Sequence, residues 1–184
     1  AMLLDSEGRK VLYDYNPNSK LTELQCSISA PWSYTVTKTV NYNQEEQFVI
    51  SEELILELLQ TINEKVNEDL KVNESLQNLE HQIVARSNVK MLSNGYDVIN
   101  PEGQKAKSLA ISNTSVVVQK YLIDTLNEAR DKLFPQTECR MLSFILMLNS
   151  MSNYLLPGVN NVCLVDITYE ATEIGVIRDG SLTY

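Results

Sequence analysis

The sequence predicts an α/β protein, and three observations carry that prediction. Short apolar runs rich in β-branched and aromatic residues recur between Gly, Pro and Asn punctuation, as at residues 21–29, 107–112 and 162–165. Between them lie stretches with apolar residues at helical spacing, at 51–66, 115–133 and 144–156. The closing stretch, 161–184, reads as a three-strand meander: a continuous apolar run, a return strand, and an Asp179-Gly180 hairpin signal.

Composition narrows the function classes. Of the 184 residues, 43% are hydrophobic, enough for one sizeable core or two small subdomains. The formal net charge is −9 and Lys and Arg form no cluster, which argues against nucleic-acid binding through phosphate neutralisation and against adsorption to an anionic membrane. Cys26, Cys139 and Cys163 have no metal-ligand spacing, and two lie in apolar runs, so they read as reduced core residues of a cytosolic chain. The longest apolar stretch, 141–156, is interrupted by Ser and Asn and falls short of the ~20 residues a membrane span needs. The Asn73-Glu74-Ser75 and Asn113-Thr114-Ser115 sequons read as chance matches.

In chain order, Met2-Leu3-Leu4 and Lys10-Val11-Leu12-Tyr13 read as two short strands around a turn at residues 5–8. Residues 16–19 are a loop, and 21–29 a strand closed by Ala30-Pro31-Trp32. Period-two alternation over 34–42 places Tyr34, Val36, Val40 and Tyr42 on one face of a half-exposed strand. Ser51 caps a helix with Glu52 and Glu53 in its first turn and a stripe of Leu54, Ile55, Leu58, Leu59, Ile62 and Val66. Residues 65–80 are a polar helix end and loop. Then follow a strand at 81–91, an Asn94-Gly95 turn, a return strand at 96–99, an Asn100-Pro101-Glu102-Gly103 turn and a strand at 107–112. A helix is expected over 115–133, with Val118, Leu122, Leu126, Ala129 and Leu133 on one side, Glu128 and Lys132 paired at i,i+4, and Pro135 ending it. Residues 138–142 suit a short strand. Residues 144–156, apolar almost all round, suit a helix buried between layers, and the run 162–165 a strand buried on both faces.

Asp166, Thr168, Thr172 and the Asp179-Gly180 turn lie in the segment DITYEATEIGVIRDGSL. This segment resembles the second phosphate-binding hairpin of the actin-like ATPases, in the branch of the cell-division protein FtsA and the pilus-assembly protein PilM. Relatives read approximately D-I-G-G-x-T-T-D-I-x-V-x-x-D-G-x-L. Here Thr168 and Tyr169 stand at the two glycines, Ala171 at a Thr and Glu173 at an Asp. Glycines at those places let backbone N–H groups approach a phosphate, and a tyrosine fills that space. The order of elements from Ala30-Pro31-Trp32 through the Asn-Pro-x-Gly turn is similar to the subdomain inserted into the first lobe of that family.

The resemblance implies a partial actin-like (ribonuclease H-like) lobe over 1–29 and 113–160. It implies an inserted β-α-β-β (SHS2-like) subdomain over 30–112 and phosphate-2-like hairpins at 161–184 that open a second lobe. It also implies a remnant nucleotide site at Asp166, Thr168, Tyr169, Glu170 and Thr172, with Asp166 as the Mg²⁺ carboxylate if nucleotide binds. By residue chemistry alone, Asp166 equally caps a turn and Glu170 is ordinary solvated charge. Trp32, Tyr34 and Tyr42 read either as a partner-binding surface or as aromatics burying the entrance to the inserted subdomain. His81, the one histidine, reads as lying on an exposed strand edge.

The function expected is a cytoplasmic scaffold or adaptor for a pilus-assembly or cell-division machine. It would sit at the inner face of the membrane through the cytoplasmic segment of a membrane protein, self-associate, and neither bind nucleic acid nor insert into the bilayer. No cofactor is expected in this chain. The alternatives are an ATPase whose ATP and Mg²⁺ site is completed by an upstream Asp-x-Gly and a downstream Gly-Gly loop in the full-length protein, and a freestanding protein-binding module.

Overall fold

In the computed structural model, which describes residues 2–72 and 80–183, the chain is a mixed α/β protein with three sheets. Of the helix end and loop expected over 65–80, the helix continues to Val72 and residues 73–79, with the Asn73-Glu74-Ser75 sequon, lie outside the described residues.

The residue pattern explains why one strand organises the whole. Residues 105–113 mix apolar and polar side chains and residues 114–118 then run Thr-Ser-Val-Val-Val, whose stiff β-branched side chains suit a strand buried on both faces. They form β5 (Lys105–Gln119), flanked by β2 (Ser33–Val49) and β3 (His81–Ser93), both antiparallel to it, with the two-residue β4 (Tyr96–Asp97) beyond β3. Val116 lies between Thr35 and Ala85, and Val117 between Tyr34 and Ile83. The helix expected from Ser115 therefore begins only at Lys120, because three consecutive valines with strand partners on both sides stay extended. The division expected at 112/113 falls inside this strand. Asn113 is buried within it, which removes the second sequon from solvent.

β5 serves two cores. Its first half contributes Ala106, Leu109 and Ile111, packed with Val40 of β2 beneath Leu58 and Ile62 of α2 (Glu52–Val72). The Ser51 hydroxyl accepts the Leu54 N–H at 3.2 Å, so cap and stripe are as the sequence predicts. Its second half sends Val116 and Val118 into a core with Ile28, Ile123, Met141, Ile145, Leu146, Ile177 and Leu182. That core joins β1 (Glu23–Ile28), α3 (Lys120–Leu133), β6 (Glu138–Ser143), α4 (Phe144–Leu155), β7 (Val162–Ile167), β8 (Thr172–Arg178) and β9 (Ser181–Leu182). β1 and β6 pair in parallel, Glu23 beside Glu138, although more than a hundred residues separate them. β7, β8 and β9 form the meander.

Other expectations are corrected. Residues 4–15 are helical, a π-helical turn at Leu4–Gly8 running into α1 (Arg9–Tyr15), where a strand hairpin was expected. Gly8 has helical backbone angles and Asp5 pairs with Arg9 one turn on, so no chain reversal occurs there. α1 buries no residue; Arg9 ties it down by donating to the Leu133 carbonyl at 2.6 Å and lying over the Phe134 ring. β2 runs on to Val49, with residues 44–47 bulged out of register. The return strand after Asn94-Gly95 is two residues long. α4 is buried only in its first half, since Ile145, Leu146 and Asn149 are inside while Tyr154 and Leu155 are exposed. β7 is covered on one face only, and Cys163 lies on the other, exposed one. Cys26 and Cys139 are half-buried free thiols with their Sγ atoms 3.6 Å apart. No helix among the described residues is long and apolar enough to cross a membrane.

Candidate functional site

A meander with a short turn fixes what stands opposite what. Ile167 pairs with Thr172, so Asp166 pairs with Glu173 across β7 and β8. Alternation puts Val162, Leu164 and Asp166 on the face toward α4, together with Glu173, Gly175 and Ile177. Gly175 is required there: a Cβ would stand 2.8 Å from the Ile145 side chain, so α4 rests directly on the β8 backbone. The opposite face carries Cys163, Val165 and Ile167 from β7 beside Thr172, Ile174 and Val176 from β8. Val165 is 50% exposed, Ile167 77% and Ile174 51%.

The turn itself is closed. The Thr168 N–H donates to the Ala171 carbonyl at 2.9 Å, and the Ala171 N–H donates back to the Thr168 hydroxyl at 3.1 Å. The hydroxyl also donates to the Ala171 carbonyl at 2.9 Å. Tyr169 is fully exposed at the tip next to exposed Glu170, and Thr172 points to the bare face. Positive-φ non-glycine residues among those described are Asn94 and Asp179, so residues 168–171 form no concave array of N–H groups. Asp166 turns inward, away from the tip, toward Glu173. One oxygen of each carboxyl is buried without a hydrogen-bond partner. Burial, and then the negative charge of Asp166, push Glu173 above the usual carboxylate range, while the Ala30 backbone N–H pulls the other way. In this arrangement Thr168 and Ala171 spend their amides within the turn, and Asp166 faces a second carboxylate.

No protein-family model and no curated protein sequence matches this chain.

The three aromatics do not converge. Trp32 is partly exposed at the β1–β2 corner. Tyr34 packs edge-on against His81, with ring centroids 5.8 Å apart. Its buried hydroxyl has no partner, and burial, then the charge of Asp69, push its pKa up to about 12. Tyr42, eight positions along β2, packs edge-on against Phe48 in the α2 core. His81 lies on the side of β3 that β4 leaves unpaired, and it is half-buried against the Tyr34 ring rather than exposed. Two cavities, of about 440 and 490 Å³, lie elsewhere, one beneath α1 beside Phe134 and one between β3 and β6.

Glu173 is the residue that reading from sequence missed. The signal was present in the hairpin: once the turn is limited to residues 168–171, counting back places Glu173 opposite Asp166.

Proposed function

We propose that this chain acts by protein–protein interaction, as an actin-like scaffold whose closing β7–β8 hairpin offers an association face. The single observation that carries the reading is the apolar face of Val165, Ile167 and Ile174, which no helix among the described residues covers. Its occupant is a second copy of the chain. A further partner is the cytoplasmic segment of a membrane protein, which would hold the scaffold at the inner face of the membrane in a pilus-assembly or cell-division machine.

The order of elements supports the actin-like part of the reading. β1 and β6 lie side by side in parallel, while the chain between them builds its own four-stranded sheet under α2. That is the relation expected of a lobe and an inserted SHS2-like subdomain. Nucleotide turnover is not part of the proposal, because Thr168 and Ala171 spend their amides within the 168–171 turn.

The test is thermal melting with and without millimolar Mg-ATP. An unchanged Tm is the expected result, since a ligand that binds only the native state must raise it. A rise of several degrees would replace the scaffold with the ATPase reading.

A further inference from the structure

Asp166 and Glu173 face each other across β7 and β8, on the side turned to α4. Oδ2 of one and Oε2 of the other are shut off from solvent and have no hydrogen-bond partner. Two ionised carboxylates so placed repel, and each buried acceptor without a donor carries its own desolvation cost. A proton on one carboxyl removes the repulsion and supplies the missing donor. We propose that Glu173 keeps a proton beside Asp166, and that its loss as pH rises, which sets two like charges opposite each other, loosens β7 from β8 at the hairpin tip.

The end of β1 presents the Ala30 backbone N–H to Glu173. α4 contains no Asp, Glu, Lys, Arg or His, and β9 contributes Ser181 and Leu182. On the hairpin itself, Glu170 is exposed at the tip, and Arg178 and Asp179 lie at the far end of β8. Among the described residues no cation from these elements faces the pair. A divalent cation is the less favoured occupant. The pair supplies two carboxylates and an N–H donor, which cannot ligate a metal, and no group of three or more acidic, His or Cys side chains converges among the described residues. The raised Glu173 pKa agrees in direction and fixes the sign. A carboxyl whose folded pKa is raised contributes stability fully present below its unfolded pKa and lost as pH climbs through its folded pKa.

The experiment compares thermal melts of the unmodified chain, Glu173→Gln and Asp166→Asn in EDTA from about pH 4 to about pH 8. Either amide supplies a permanent donor and cannot ionise. Both variants should match the unmodified chain at the acid end and exceed it at the upper end, by about 2–4 °C. Hydrogen exchange at Thr168 and Ala171, corrected for intrinsic pH dependence, should quicken at the upper end in the unmodified chain and not in Glu173→Gln. A pH-independent offset in both variants, or exchange that does not respond to pH, overturns the proposal. A rise in Tm on adding Mg²⁺ or Ca²⁺ to the unmodified chain, absent in Glu173→Gln, overturns it in favour of a bound cation. Neither nucleotide nor partner enters this test, so its outcome is separate from that of the scaffold reading.

Discussion

The four-stranded sheet and the closing meander each lay a helix on one face, α2 on the first and α4 on the second. Their other faces differ in chemistry. Away from α2, β2 presents Thr37, Thr39, Asn41 and Asn43 opposite Thr114, Ser112, Ala110 and Ser108 of β5. The Thr37–Thr114 and Thr39–Ser112 hydroxyls pair at 2.9 and 2.7 Å. Thr39, Asn41 and Asn43 meet solvent there, while Thr114 is buried and the Thr37 hydroxyl donates to the Leu182 carbonyl of β9 at 3.1 Å. Away from α4, the meander presents Cys163, Val165, Ile167, Ile174 and Val176. Strands covered on one side ordinarily alternate apolar and polar, and β7 and β8 depart from that by carrying apolar residues on both sides, the face on which the proposed association rests.

The largest effect that can probe this contrast lies under α2. Ile62 is fully buried there among Leu58, Leu109 and Ile111. Ile62→Ala should lower unfolding stability by about 2–5 kcal/mol in urea titration. A cost under about 1 kcal/mol would mean that α2 packs loosely and that the two sheets are less different than described. Next is Gly175→Val, which drives a branched side chain into Ile145 beneath α4. Overpacking of that kind costs about 1–3 kcal/mol. Hydrogen exchange should place the loss in α4 and the meander and leave α2 unchanged; equal loss in α2 would join the two cores into one cooperative unit.

These two positions also show what could be read in advance. Ile62 was legible because its stripe is local: helical spacing, a Ser51 cap and acidic residues in the first turn point to one structure. The Asn94-Gly95 and Asp179-Gly180 turns were legible for the same reason, and all four residues adopt the positive φ that such turns demand. Val116–Val118 were not. Their run adjoins a helical pattern, and strand was decided by β2 and β3, remote in sequence. The N-terminal helix was obscured because Gly8 looked like a turn residue and takes a helical conformation. In the candidate site, Asp166 stood out by its place after an apolar run. The partnership with Glu173 and the self-closed turn depend on register and hydrogen bonding, which the residue types alone do not specify.

The smallest effect on stability attends the most direct test of the central claim. A lysine at an exposed strand position changes folding by about 0.5 kcal/mol or less, yet it places a charge in the middle of any contact made there. Sedimentation velocity over a concentration series, run in parallel on the unmodified chain, Ile174→Lys and Thr39→Lys, compares the exposed parts of the two faces directly. The account predicts a concentration-dependent increase in sedimentation coefficient for the unmodified chain and for Thr39→Lys, and a monomer at the same concentrations for Ile174→Lys. A monomeric unmodified chain throughout, or association that Ile174→Lys leaves unchanged, would contradict it.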